Sequence, residues 1–139
     1  MAPNTAVEIL KREYHASPIL LVEDDPINRL LATEFLAHAG CSADIAENGA
    51  EAVQLVQSKP YALILMDVQM PIMDGLEATR RIRKLPNGRS VPIIAMTANA
   101  FSEDRDACLA ASMNDFVSKP FVPDTLYRTM LHWLSSAGR

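Results

Sequence analysis

A doubly wound α/β fold around a parallel sheet is the architecture this sequence predicts, and three observations carry it. Apolar runs of four or five residues recur, as expected of strands covered on both faces. Stretches with apolar residues at helical spacing lie between them. The two kinds of segment alternate five times with turn formers at the junctions, which implies parallel strands joined by crossover helices. A chain of 139 residues suits one domain with a substantial core.

The elements follow in order. Ile19 to Val22 reads as the first strand. Pro26 sits just inside a helix start with Asp25 as N-cap, Ile27, Leu31 and Phe35 mark the apolar stripe, and Gly40 stops the helix in the left-handed conformation. Ala43 to Ala46 is a weaker strand, followed by a helix over 49–58 that buries Val53 and Val56, and Lys59-Pro60 breaks it. Ala62 to Met66 is the most apolar strand and ends at Asp67. A loop with Pro71 and Gly75 leads to a helix over 76–84, and Pro86-Asn87-Gly88 makes a turn. Val91 to Met96 is strand four, 102–111 a helix, Asp115 to Ser118 strand five, and 123–135 the last helix. Residues 1–17 stand apart as a tail or interdomain linker, with a short helix through Val7, Leu10 and Tyr14 or a disordered end both open.

Composition removes several classes of function. A net charge of -4 without a basic cluster argues against a nucleic-acid surface. Cys41 and Cys108 have no metal-like spacing and read as buried thiols in a reducing compartment. No apolar run approaches the roughly 20 residues of a membrane span, and no signal peptide is evident. The expected location is the cytoplasm, without membrane contact by this domain, which leaves a membrane anchor elsewhere in a parent protein open.

In sheets of this kind ligands bind beyond the carboxyl ends of the strands. Strand one ends in Glu23-Asp24-Asp25, strand three in Asp67, strand four in Thr97 and strand five in Lys119, with Glu23 the doubtful member of the set. Clustered carboxylates repel one another and call for a counter-charge. Hard oxygen donors without His or Cys suit Mg²⁺. Lys119 adds a fixed positive charge and Thr97 a hydroxyl, so a phosphoryl group on one carboxylate would satisfy the whole set. Taken singly, Asp25 reads as a helix cap and Asp74 as a turn residue.

From Pro18 to about Leu134 the chain resembles the receiver domain of two-component response regulators. The matching stretches are Leu20-Leu21-Val22-Glu23-Asp24-Asp25, Leu65-Met66-Asp67-Val68-Gln69-Met70-Pro71-Ile72-Met73-Asp74-Gly75, Ile94-Ala95-Met96-Thr97-Ala98 and Phe116-Val117-Ser118-Lys119-Pro120-Phe121. The resemblance implies a flavodoxin-like (βα)5 fold with strand order 2-1-3-4-5 and a receiver over 18–137. It makes Asp67 the phosphoacceptor, with Asp25, Asp67 and the Gln69 carbonyl holding Mg²⁺ and Asp24 acting through a bound water. Lys119 would bind a phosphoryl oxygen, Thr97 would turn towards it, Phe116 would follow, and small Ala98 would leave room. A cis Lys119-Pro120 bond is also implied.

Asp25-Pro26-Ile27-Asn28-Arg29 and Met96-Thr97-Ala98-Asn99-Ala100 look like receivers of hybrid sensor histidine kinases. The implied partners are a sensor histidine kinase, in cis or in trans, and a histidine phosphotransfer domain docking near Asp25 to Leu31 through Pro26, Ile27 and Leu30. Such a domain is not a stand-alone enzyme, although it takes phosphoryl groups from small donors and loses them by autodephosphorylation. Ser112 departs from the family, which often has Gly there. An aspartyl-nucleophile phosphatase is a rival, but Asp67-Val68-Gln69 lacks the second acid of its Asp-x-Asp motif. A phosphorylation-independent interaction module is the other rival.

Overall fold

The computed structural model describes residues 5–68, 70, 72–97, 102–119 and 121–137. Six helices accompany five strands: α1 (Ala6–Glu13), β1 (Ile19–Val22), α2 (Pro26–His38), β2 (Ala43–Ala46), α3 (Gly49–Ser58), β3 (Leu63–Asp67), α4 (Gly75–Ile82), β4 (Ile93–Thr97), α5 (Ser102–Ala110), β5 (Asp115–Ser118) and α6 (Pro123–Ala137). The strands form one parallel sheet in the order β2-β1-β3-β4-β5, as expected.

Local chemistry sets the boundaries. Asp25 caps α2 by accepting from Asn28 N–H at 3.0 Å, and Pro26 opens the helix. At its far end Gly40 takes φ +74°, Gly40 N–H donates to Ala37 O at 3.0 Å, and Cys41 N–H to Leu36 O at 2.8 Å. Those paired bonds satisfy two of the last carbonyls of α2. β4 begins two residues later than the apolar run, because Pro92 has no N–H and Ile93 N–H goes instead to Asn114 Oδ1 at 2.8 Å. α4 ends at Ile82, and Pro86–Gly88 forms a 3-10 turn.

Alternation along the strands splits the core in two. Leu21, Leu65, Ile94, Met96 and Val117 pack with α2 and α6 on one face. Leu20, Val22, Ile64, Met66, Ile93 and Ala95 pack with α3 and α4 on the other. Of the two readings of the first residues, the helix is the one realised, and α1 joins the core. Leu10 is fully buried in the α2/α6 layer, and the backbone of Lys11 comes within 3.3 Å of where a Gly40 Cβ would stand. Ser112 keeps the left-handed conformation expected of glycine there, φ +76°, with its carbonyl accepting from Arg83 Nε at 3.0 Å.

Candidate functional site

Strand alternation also decides which polar groups meet at the carboxyl edge. Glu23 follows Leu21, Asp67 follows Leu65 and Lys119 follows Val117, so the three continue one face of the sheet. Lys119 Nζ lies 2.7 Å from Glu23 Oε1 and 3.2 Å from Asp67 Oδ1. Glu23 is completely buried, and Asp67 is 5% exposed. At 2.7 Å the Lys119 ammonium gives Glu23 Oε1 a charge-assisted contact. Glu23 Oε2 accepts from Asp25 N–H at 3.2 Å.

Carboxylate oxygens of Glu23, Asp24 and Asp67 all fall within 4.8 Å of one another. Burial, reinforced by the hydrogen bond and charge of Glu23, pushes the Asp67 carboxyl up from 3.8 to about 7 despite the opposing pull of Lys119. Lys119 is raised above its ordinary value: burial opposes the charge, but the carboxylates of Glu23 and Asp67 outweigh it. A site in which one ammonium faces three clustered acids is short of positive charge. Hard carboxylate oxygens gathered this closely around a single ammonium fit a small divalent cation such as Mg²⁺.

The surrounding backbone fixes this geometry. Arg29 Nη1 donates to Glu23 O at 3.2 Å and Asp24 O at 3.4 Å, tying the β1–α2 loop to the first turn of α2. Lys119 N–H donates to Thr97 O at 2.8 Å, and Val68 N–H to Met96 O at 3.2 Å. Gly75 N–H donates to Val68 O at 2.8 Å, and a Cβ at Gly75 would run into the Asp67 carbonyl. Only glycine lets α4 start that close to the acid. Asp74 caps α4 by accepting from Glu77 N–H at 2.9 Å, the ordinary turn-and-cap role.

The structure brings together Asp24, Asp67 and Lys119 and adds Glu23, the acid that strand-end position alone left doubtful. Asp25 is not in the cluster, because its carboxylate is engaged at the N-terminus of α2. The acids that cluster among the described residues are thus Glu23, Asp24 and Asp67. The period-two rule applied past Leu21 would have found Glu23, which shares the face of Asp67 and Lys119, but not the choice between Asp24 and Asp25, which lie beyond the strand. Thr97 ends β4 buried, and half-buried Phe116 sits opposite Ala95, two residues before Thr97 on the same face. Gln69, Ala98, Asn99 and Pro120, and with Pro120 the cis bond, lie outside the described residues.

The fold is that of a receiver domain, and the comparisons show the family. The chain belongs to the response regulator receiver domain family, whose profile matches residues 19–131. It is similar to the receiver domain of a sensor histidine kinase from Pseudomonas aeruginosa PAO1, solved with a magnesium ion coordinated in the active site cleft. That match has 44% identity and a TM-score of 0.81 over 86% of this chain and 98% of that one. It is similar to the receiver domain of the response regulator Ssk1 of Saccharomyces cerevisiae, crystallised with the histidine phosphotransfer protein Ypd1. Here identity is 30% and the TM-score 0.78, over 86% of this chain and 89% of that one. Over 133 residues it is 41% identical to a probable histidine kinase 1 of Oryza sativa, covering 73% of this chain but only 14% of the kinase. Two-component response regulators are among the relatives as well. No helix among the described residues is long and apolar enough to cross a membrane.

Proposed function

We propose that Asp67 is the phosphoacceptor of this receiver and that its phosphoryl group comes from a phosphohistidine. An Asp67 carboxylate oxygen attacks phosphorus, the phosphorus–nitrogen bond of the donor breaks, and the imidazole leaves with the bonding electron pair. Glu23, Asp24 and Asp67 are the residues that would hold Mg²⁺. The ion would neutralise the acids and the charge that develops on the phosphoryl oxygens. Lys119 faces the nucleophilic carboxylate and is placed to pair with a phosphoryl oxygen, and Thr97 offers a hydroxyl at the end of the next strand. The carrying observation is the Lys119 ammonium 3.2 Å from Asp67 Oδ1 inside a cluster of acids that needs further positive charge.

Loading then changes the surface. A phosphoryl group brings a charge of about -1.5 to -2 to an edge already rich in acid. Thr97 and Lys119 answer it, and Phe116, on the face of Thr97, transmits the change towards α5, β5 and α6. Mg²⁺-dependent labelling by acetyl phosphate tests the site: mass spectrometry should find one phosphoryl group on the wild type and none on Asp67→Asn, and equal labelling would overturn the assignment.

The partner that delivers the group is a helical histidine phosphotransfer domain, as the similarity to the Ssk1 receiver supports. On α2, Ile27 is 70% exposed and Leu30 60% exposed, so neither is used against the sheet. With Pro26 they form an apolar strip beside the acids, a surface a partner helix can cover. Leu30→Glu should slow transfer from such a partner while leaving acetyl phosphate labelling unchanged.

A further inference from the structure

Two acids of the cluster, Glu23 and Asp24, stand just past the end of β1, where the sheet stops holding the chain. Glu23 N–H still donates to Ala46 O at 3.0 Å. The carbonyls of these two residues turn to a side chain instead. Arg29 Nη1 donates to Glu23 O at 3.2 Å and to Asp24 O at 3.4 Å. The guanidinium therefore grips the two loop residues whose carboxylates enter the cluster. Asp25, whose carboxylate caps α2, belongs to neither group.

Helix geometry explains the reach. Arg29 ends the first turn of α2, and helical side chains lean towards the amino terminus, so this one folds back over the loop that leads into its own helix. Its backbone is fixed at both ends: Arg29 N–H donates to Asp25 O at 2.9 Å, and Thr33 Oγ1 donates to Arg29 O at 2.6 Å. Carboxylates gathered within 4.8 Å push one another apart. A loop beyond the last strand residue would yield to that repulsion unless something held its peptides.

A cation beside a cation site acts in two opposed ways. Its charge repels a second positive ion, and its hydrogen bonds keep the acids in place. Arg29 directs its charge at carbonyl oxygens rather than carboxylates, and it is half-buried, so water screens the repulsion. We infer that Arg29 is a positioning residue of the cation site, holding Glu23 and Asp24 where one ion can reach both. This rests on the reading that Glu23, Asp24 and Asp67 hold Mg²⁺. The expected effect has the sign opposite to that of charge alone: loss of this cation weakens a divalent ion.

Arg29→Met and Arg29→Lys test it in the full chain. The first keeps the aliphatic stem and removes charge and donors, while the second keeps a charged donor on a slightly shorter side chain. Calorimetric titration with Mg²⁺ should show binding weakened by at least about fivefold in Arg29→Met, with a smaller loss in Arg29→Lys. Without metal, the thermal midpoint of both variants should stay within about 2 °C of wild type. Unchanged or tighter Mg²⁺ binding in Arg29→Met would overturn the inference, because charge would then outweigh position. An equal loss in both variants would do the same, since the retained donor would have restored nothing. A metal-free midpoint lowered by more than about 5 °C in both would assign Arg29 to the fold and not to the ion. If wild type itself takes no Mg²⁺, the reading of the acids as a cation site fails, and this inference with it.

Discussion

At the amino-terminal edge of the sheet the Arg83 guanidinium donates to four acceptors: Val91 O at 2.7 Å, Asn114 Oδ1 at 2.6 Å, Gly88 O at 2.9 Å and Ser112 O at 3.0 Å. At the carboxyl-terminal edge one ammonium, that of Lys119, faces the acids Glu23 and Asp67, and Asp24 stands beside them. The first edge is closed further by α1, whose Leu10 is fully buried against the α2/α6 layer. The same fold thus satisfies its polar groups at one end and leaves them in conflict at the other. Conflict of that kind lowers stability until something binds, and it marks where the chemistry is done.

The largest expected effect breaks the closed edge. Leu10→Ala should cost about 2–5 kcal/mol, the range for truncating a fully buried leucine, read from urea unfolding. A loss below about 0.5 kcal/mol would show that α1 is not part of the cooperative unit.

The second prediction runs the other way and sharpens the contrast. The Asp67 carboxyl is raised from 3.8 to about 7 by burial and by Glu23, so the folded protein binds that proton more tightly than the unfolded chain does. The contribution of this group is present in full below the lower value and is lost as pH rises through the upper one. Without divalent metal, Asp67→Asn should therefore become more stable relative to wild type between pH 4 and 7, by on the order of 2–4 kcal/mol at the upper end. Mg²⁺ should shrink that gap by stabilising the wild type. A stability difference flat in pH would remove the account of the electrostatic conflict.

Smaller effects follow. Arg83→Ala should cost about 2 kcal/mol, since it strips the donor from several partly buried acceptors. Ser112→Gly should stabilise by about 0.5–1 kcal/mol if the left-handed backbone there is a local cost, or leave stability unchanged if lost chain stiffness offsets it. A loss would mean that the Ser112 side chain makes a contact worth more than the strain.

Much of this was legible in the sequence because the strands are nearly continuous apolar runs and the breakers stand at their ends. Ile19–Val22 and the cap-and-glycine pattern around α2 leave few alternatives, and position at strand ends was enough to single out Asp67 and Lys119. What it could not separate was three adjacent acids, each plausible by charge. Their assignment depends on strand parity carried one residue past Val22, and on α2 claiming Asp25 for its cap. The place of α1 was open for a different reason. Its apolar residues Val7 and Leu10 become meaningful only against α2 and α6, and α6 lies at the far end of the chain.

Magnesium affinity measured by calorimetry across four variants tests the central claim most directly. If Glu23, Asp24 and Asp67 are the acids whose conflict a cation resolves, Asp24→Asn and Asp67→Asn should each weaken Mg²⁺ by at least about tenfold, and Glu23→Gln by somewhat less. Asp25→Asn should stay within about threefold of wild type, since its carboxylate serves the α2 cap. Loss of binding in Asp25→Asn with unchanged affinity in Asp24→Asn and Glu23→Gln would contradict the account.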